Sequence, residues 1–255
     1  SVYSEQYPIQ VAEGIYLHHE YPDSVFQQAV NSKLLEDKEY KYSDLGYYLL
    51  KPVMEELTAQ SLADYTMENF YAPLGLSTMG YLPKERLAKE SIVPSEFDYY
   101  FRSQLLQGDV HDMGAAMQGG VGGHAGLFSN ANDLAILMQM YLQGGEYAGE
   151  RFFEEETVAE FTKCQFCADE NRRGAGFDKV ALPDQEGGPA CDCNPSPQAF
   201  GHSGFTGTLA WVDPAEDFVY VFLSNRIHPT AENKKLLEMD VRTNIMEVFY
   251  QAIRK

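Results

Sequence analysis

The C-terminal quarter of the chain carries the pattern that most restricts the fold. Two runs rich in β-branched and aromatic residues, 206–212 and 218–223, flank the polar segment 213–217, and this arrangement predicts a β-hairpin. Apolar residues at helical spacing then extend from about 231 to 254 and predict one long amphipathic helix. We therefore expect an antiparallel sheet with this helix packed across one face.

Helical patterns dominate the chain before the hairpin. Helix signals occur near residues 22–24, at Ser43, at Ser61, at Ser129 or Asn130, and over 155–161. Pro52 is expected to kink or split the helix that follows Ser43. Short strands are expected near 11–17 and 99–106, and a long loop over 164–199. The order indicates an α+β fold, with residues 20–200 mostly helical and 201–255 supplying the hairpin and final helix.

Charge and composition exclude several classes of protein. The chain has 255 residues and a formal charge of −19 at pH 7, which argues against binding to nucleic acid or to anionic membranes. Hydrophobic residues make up 44%, as in a soluble globular protein with a real core. No apolar stretch approaches the roughly 18 residues of a membrane span. The first residue is Ser1 and no signal-peptide pattern follows, so we expect a start that was processed or cut from a longer sequence.

Tyr42-Ser43-Asp44 is the first candidate for chemistry. A phenol ordinarily has a pKa near 10. A nearby cation or the start of a helix would lower the pKa of such a phenol and make it a usable base. Taken alone, Tyr42 also fits a packing role.

Residues 201–208, Gly-His-Ser-Gly-Phe-Thr-Gly-Thr, form the second candidate. The three glycines allow another backbone or a ligand to approach the strand closely. Backbone N–H groups along the strand could bind an oxyanion, and His202 could supply a proton or a positive charge.

A glycine-dense stretch over 118–126 lies between these motifs. It does not have the spacing of a dinucleotide-binding loop. His111, Asp112 and His124 are metal-ligand types, but no tight spacing supports a metal site, so we expect them to brace the glycine-rich loop by hydrogen bonds.

In this order, the motifs resemble the serine β-lactamase and penicillin-binding-protein superfamily, in its class C-like esterase branch. Residues 39–47 resemble the Tyr-Ser-Asn segment of that branch, and 73–76 resemble its Pro-Leu-Gly-Met turn. Residues 110–112 with 122–129 are similar to its next block, and 201–208 to its third box, where His-x-Gly replaces Lys-Thr-Gly. The resemblance extends from about residue 15 to residue 250 and is greatest for the subgroup fused to family 3 β-N-acetylglucosaminidases in bacterial cell envelopes.

The resemblance implies a β-lactamase/transpeptidase-like fold of the α/β three-layer type, a single domain over 1–255, and chemistry without a cofactor or metal. The implied reaction is acyl transfer through a serine in a Ser-x-x-Lys helix. Tyr42 would be the general base, Asp44 takes the place of the usual Asn, and His202 takes the place of the third-box cation. Ser203, Gly204 and Phe205 would bind the substrate and oxyanion, with the Phe205 N–H as one donor.

Two departures from the family pattern limit this reading. None of the serines is followed three residues later by lysine, so the nucleophile motif is absent from the chain. Asp44 is also less suited than Asn to bind a substrate amide. We expect a truncated domain with an incomplete sheet that is inactive by itself. The alternative is a non-catalytic module that binds cell-wall fragments beside a glycosidase.

Partners, location and cysteine state follow from the same resemblance. It implies a small-molecule or peptidoglycan-derived substrate and a periplasmic or envelope location, and an uncovered sheet edge would favour a homodimer. The cysteine pairs, Cys164 with Cys167 and Cys191 with Cys193, are compatible with a zinc site, with disulfides or with free thiols. The implied location would permit disulfides.

Overall fold

The structure is a computed structural model that describes residues 2–36, 40–183 and 188–255. Ser1, the first residue, and Glu39, in the motif over 39–47, lie outside the described residues. The chain divides into two compact units. The first unit is Ser1–Ser129 with His228–Thr230, and the second is Asn130–Ile227 with Ala231–Lys255.

The regular structure of the first unit is mainly helical. Its α-helices are α1 (Tyr21–Val30), α2 (Leu45–Thr58), α3 (Leu62–Thr66), which continues as a π-helical turn (Met67–Tyr71), and α4 (Met113–Met117). Two small antiparallel hairpins accompany them, β1 (Ile9–Ala12) with β2 (Ile15–Leu17) and β3 (Phe97–Asp98) with β4 (Gln104–Leu105).

The predicted helix starts of the first unit are largely confirmed. Ser61 caps α3, because its Oγ accepts a hydrogen bond from the Asp64 N–H at 3.1 Å. Ser43 lies just before α2, and its Oγ accepts from the Leu45 N–H at 3.3 Å. Helix α2 runs on through Pro52, so of the two effects expected of this proline the split does not occur.

The second unit contains the main sheet. Its helices are α5 (Ala131–Leu142), α6 (Glu155–Thr162), α7 (Lys235–Glu238) and α8 (Val241–Ile253). Its strands are β5 (Glu146–Tyr147), β6 (Glu150–Arg151), β7 (Asp178–Lys179), β8 (Phe200–Ser203), β9 (Leu209–Asp213) and β10 (Phe218–Phe222). Strands β7 to β10 form a four-stranded antiparallel sheet in the order β10-β9-β8-β7. The predicted hairpin is therefore confirmed as β9 and β10.

Helices cover both faces of this sheet. Side chains alternate between faces along a strand, so neighbouring residues of β9 face opposite layers. Val212 packs with Phe200 and with Met138 of α5. Trp211 packs on the other side, among residues that include Met246 and Tyr250 of α8. The second unit thus has three layers, α5, sheet and α8, and the expected packing of the final helix on one face is confirmed.

The single long C-terminal helix predicted over 231–254 is wrong, because the helix is interrupted. Asp240 adopts a left-handed conformation with φ of 49°, which ends α7 and precedes α8. Upstream, the Arg226 side chain donates to the carbonyls of Ala231 and Asn233 at 3.4 and 3.3 Å. These contacts involve carbonyls that a continuous helix would use itself.

A buried carboxylate joins the hairpin to α8. Asp213 is fully buried and accepts hydrogen bonds from the Tyr250 hydroxyl at 2.8 Å and the Ser196 N–H at 2.9 Å. The Ala215 N–H donates to it at 3.2 Å, which closes the turn predicted over 213–217. Its buried charge is therefore met by several donors.

The cysteine-bearing loop is mostly irregular, as expected. The structure joins Cys164 to Cys167 and Cys191 to Cys193 as disulfides. Within the described part of the chain, no helix is both long enough and apolar enough to cross a bilayer.

Candidate active site

The first candidate motif lies at the start of α2 in the first unit. Tyr42 is 60% exposed, in the segment that leads into the helix. Asp44 immediately precedes the first helical residue, Leu45. This placement agrees with the predicted position of the tyrosine before a helix.

Asp44 lies in a small polar cluster that the sequence did not predict. One carboxylate oxygen of Asp44, one of Asp112 and a ring nitrogen of His124 all lie within 4.8 Å of one another. His124 Nε2 is 2.8 Å from Asp112 Oδ1, and the same oxygen accepts from the Ala115 N–H at 2.7 Å as the cap of α4. Burial alone would raise the pKa of Asp112, but these hydrogen bonds hold it below its ordinary value.

The donor set of this cluster is of a type that can hold a divalent cation. In the structure, however, the His124 ring nitrogen and the Asp112 oxygen bond each other. His111 makes a comparable contact, with its Nε2 2.7 Å from Glu96 Oε2. The expectation that these residues brace the glycine-rich loop by hydrogen bonds is confirmed for Asp112 and His124, whereas His111 contacts Glu96, which lies outside that loop.

Glycines allow α2 to approach the loop that carries His124. A Cβ on Gly114 would lie 1.9 Å from the Tyr48 hydroxyl, and one on Gly123 would lie 3.1 Å from the Tyr47 carbonyl oxygen. The Tyr48 ring lies 4.7 Å from the His124 ring. Burial raises the pKa of the Tyr48 phenol, with Asp112 and Asp44 adding to the rise, so Tyr48 stays a hydroxyl and is not a candidate base.

A buried ion pair fixes the segment before Asp112, and the sequence analysis missed it. Arg102 is fully buried, and its Nε donates to Asp98 Oδ2 at 2.7 Å. Its two terminal nitrogens donate to the carbonyls of Val110 and His111 at 2.7 and 2.6 Å. An Asp and an Arg four residues apart were the available signal, although that spacing is common on exposed surfaces.

The second candidate motif forms β8 and the turn into β9 in the second unit. A Cβ on Gly201 would lie 2.1 Å from the Ala210 carbonyl oxygen of β9, so this glycine permits the close strand approach that was predicted. Gly207 has φ of +102°, a conformation that favours glycine. Phe205 lies in this turn, 63% exposed, with the Arg226 guanidinium 4.8 Å from its ring centre.

His202 contacts an arginine from a distant part of the sequence. Its Nε2 lies 2.7 Å from Arg173 Nη1, and its Nδ1 lies 2.7 Å from the Ser203 carbonyl oxygen. Pairing between β7 and β8 covers Phe200 and Gly201, and β8 continues through His202 and Ser203.

The predicted site residues are therefore divided between the two units. Tyr42 and Asp44 belong to the first unit, and His202, Ser203, Gly204 and Phe205 belong to the second. Each group lies at the end of a regular element, as expected.

Comparison with solved structures identifies the fold. A beta-lactamase from Mycobacterium bovis has a TM-score of 0.56 at 20% identity, and the match covers 84% of this chain and 65% of that one. A penicillin-binding-protein homolog from Caulobacter crescentus has a TM-score of 0.55 at 19% identity, covering 80% of this chain and 58% of that one. The chain has the β-lactamase/transpeptidase-like fold.

Curated relatives share more of the sequence. A protein from Salmonella paratyphi B named "Putative D-alanyl-D-alanine carboxypeptidase" is 35% identical over 207 residues. The match covers 76% of this chain and 47% of the relative, so the chain spans about half the length of the curated relatives it matches. The sequence profile described as Beta-lactamase matches residues 8–242. With the fold and both motifs in agreement, the chain belongs to the beta-lactamase family of serine β-lactamases and penicillin-binding-protein-like hydrolases.

Proposed function

We propose that this chain carries two of the three motif boxes of a serine acyl-transfer site, which hydrolyses an ester, an amide or a β-lactam in the complete enzyme. The observation that carries the proposal is the construction of β8, in which Gly201 lets the strand lie close against β9 while His202 and Ser203 extend past the pairing with β7. An extended substrate can add beside such a strand through main-chain hydrogen bonds.

The proposed reaction uses a serine from a Ser-x-x-Lys segment, a motif that residues 1–255 do not contain. Tyr42 accepts the serine hydroxyl proton while the serine oxygen attacks the substrate carbonyl carbon. The Phe205 N–H donates to the resulting oxyanion. The bond to the leaving group then breaks, the leaving group takes the proton from Tyr42, and water hydrolyses the acyl-serine.

The named relative supports a peptide substrate. A D-alanyl-D-alanine carboxypeptidase, as that relative's name describes it, acts on peptides ending in two D-alanines, so we propose peptidoglycan-derived peptides and their β-lactam mimics as substrates. We propose a periplasmic or envelope location on the same ground. A fused glycosidase and a homodimer remain part of the proposal as partners.

The test is hydrolysis by a fusion of this chain to a segment bearing Ser-x-x-Lys. The fusion is assayed with a chromogenic β-lactam, a p-nitrophenyl ester and a D-Ala-D-Ala peptide. We expect Tyr42→Phe to lower kcat by about 10²- to 10⁴-fold, the range for losing a general base. Tyr40→Phe is the matched control, because Tyr40 is also exposed and lies two residues away. Equal rates for both variants would refute the role of Tyr42.

The second candidate function is a non-catalytic module that binds cell-wall fragments, since binding beside β8 through main-chain hydrogen bonds needs no nucleophile. Such a module would bind a D-Ala-D-Ala muropeptide in isothermal titration without any covalent adduct. Gly204→Val should weaken that binding, because a Cβ at Gly204 would already lie 2.3 Å from Thr208 Oγ1 and displace the turn. If the chain binds the muropeptide and the fusion hydrolyses none of the substrates, the binding module is favoured over the enzyme.

A further inference from the structure

We infer that Arg173, and not His202 itself, supplies the positive charge at the third box, and that Arg173 holds His202 as the neutral Nδ1–H tautomer. The tautomer of His202 is inferred from contacts within the second unit alone. The effect of Arg173 on catalysis rests on the proposed function. Arg173 acts through His202 and is therefore a positioning residue.

The contact between the two side chains determines which atom donates. His202 Nε2 lies 2.7 Å from Arg173 Nη1. A guanidinium has N–H donors and no acceptor, so Nε2 must offer its lone pair and carries no proton. An imidazolium in this position would direct a second N–H at a cation.

The contact of the other ring nitrogen, Nδ1, independently indicates the same tautomer. His202 Nδ1 lies 2.7 Å from the Ser203 carbonyl oxygen, which can only accept. Nδ1 therefore carries the hydrogen. The two contacts together assign the neutral Nδ1–H form from the hydrogen-bond network, since the partner of one ring nitrogen sets the state of the other.

The backbone around Arg173 is fixed by its own contacts. The Arg173 N–H donates to Asn171 Oδ1 at 3.1 Å, and the Arg173 carbonyl accepts from the Gln165 N–H at 2.9 Å. A Cβ on the next residue, Gly174, would lie 2.6 Å from the Phe161 carbonyl oxygen at the end of α6. The glycine thus lets this segment pack tightly against the helix and directs Arg173 toward β8.

Two arginines next to His202 share one buried carboxylate. Asp178 on β7 is almost fully buried and pairs with Arg172 through two contacts, at 2.7 and 3.1 Å. Arg173 Nη2 reaches the same carboxylate at 3.2 Å. One carboxylate thus serves two guanidiniums, and the three side chains together carry one net positive charge.

This arrangement explains how a His-Ser-Gly sequence can occupy a box that resembles Lys-Thr-Gly. A lysine on the strand would carry a fixed charge, whereas a neutral histidine carries none. Here the fixed charge lies on the Arg173 guanidinium, which is hydrogen-bonded to His202. A guanidinium stays protonated at every physiological pH.

The direct test is ¹⁵N NMR of the imidazole nitrogens of His202 in the chain as it stands, at neutral pH. We expect a protonated Nδ1 and an unprotonated Nε2 in the wild type. Arg173→Met should raise the proton occupancy of Nε2, because only the Ser203 carbonyl would then favour the Nδ1–H form, whereas Arg173→Lys should keep Nε2 unprotonated by retaining a charged donor. Arg172→Met is the matched control, because Arg172 binds the same carboxylate without a contact to His202 and should leave the tautomer unchanged.

The wild-type spectrum alone can overturn the inference, so it does not depend on the variants folding. An imidazolium or an Nε2–H tautomer at neutral pH contradicts it, and so does an unchanged tautomer in a folded Arg173→Met protein.

The catalytic consequence is tested in the fusion that bears Ser-x-x-Lys. Arg173→Met should lower kcat/KM by about 10- to 100-fold, the range known for outer partners of metal-bound imidazoles. Arg173→Lys, which retains a charged donor, should keep most of the activity. An active Arg173→Met fusion with an unchanged kcat/KM would show that Arg173 does not support the box. If no fusion is active, the proposed function fails while the NMR result still decides the role of Arg173.

Discussion

At the scale of single residues, Asp98 and Arg102 form a buried ion pair in the first unit. The Phe101 and Tyr100 N–H groups donate to Asp98 at 2.8 and 3.0 Å, and Arg102 donates to it at 2.7 Å. Burial by itself would raise the pKa of Asp98, but these donors and the Arg102 charge hold it below its ordinary value. The pair therefore stabilises the fold only while Asp98 is ionised.

Removing one partner of this pair should be costly. Arg102→Met leaves a buried carboxylate without its cation and frees the carbonyls of Val110 and His111, so we expect a loss of about 3–5 kcal/mol in the free energy of unfolding. Urea unfolding at neutral pH measures the loss. Arg151→Met is a control at an exposed ion pair and should cost less than about 1 kcal/mol.

The same pair gives a pH dependence with a defined sign. The pKa of Asp98 is lower in the folded than in the unfolded protein, so its stabilisation is complete above the unfolded pKa of about 3.9. The stabilisation is lost as pH falls below that value through the folded pKa. Asp98→Asn should therefore flatten the acid limb of a stability curve below about pH 4. An acid limb as steep as that of the wild type would show that Asp98 is not coupled to folding.

At the scale of elements, α2 and α4 meet through a glycine that leaves room for one hydroxyl. A Cβ on Gly114 would overlap the Tyr48 hydroxyl at 1.9 Å. Gly114→Ala should therefore destabilise the first unit by about 1–3 kcal/mol through overpacking. Tyr48→Phe removes the hydroxyl, so the double variant should recover most of this loss in thermal unfolding. If the losses of the two single variants simply add in the double variant, the destabilisation by Gly114→Ala does not come from its contact with the Tyr48 hydroxyl.

The elements also show what the sequence could and could not predict. The runs of β-branched and aromatic residues over 206–212 and 218–223 identified β9 and β10, and side-chain caps identified α3 and α5. Strand β7 has only two residues, too few for a period to be read. The interruption before α8 depends on the left-handed backbone at Asp240, which no apolar pattern encodes.

Contacts between distant residues were beyond sequence reasoning at the candidate site. Tyr42, Asp44 and His202 could be named from their motifs. Arg173 lies 29 residues before His202, and nothing in the local pattern joins the two. The adjacent arginines at 172 and 173, in a chain with twice as many acidic as basic residues, were the available signal.

At the scale of the whole molecule, charge should govern self-association. The sheet ends in the edge strand β10, and unpaired edges favour pairing with another chain. The formal charge of −19 opposes association, and salt screens that repulsion. We expect the weight-average mass in light scattering to rise toward a dimer as salt increases from low to physiological ionic strength. A strictly monomeric protein at high concentration in both conditions would count against the proposed homodimer.

We propose that the chain contributes a tyrosine box and a third box to an acyl-transfer site, while residues 1–255 contain no Ser-x-x-Lys motif. Intact-mass spectrometry after incubation with penicillin compares the chain of 255 residues with its fusion to a Ser-x-x-Lys segment. We expect no adduct on the chain, one adduct per molecule on the fusion, and slower labelling of the fusion carrying Tyr42→Phe. One penicilloyl group on a serine of the unfused chain, or a fusion that never labels, would overturn the proposal.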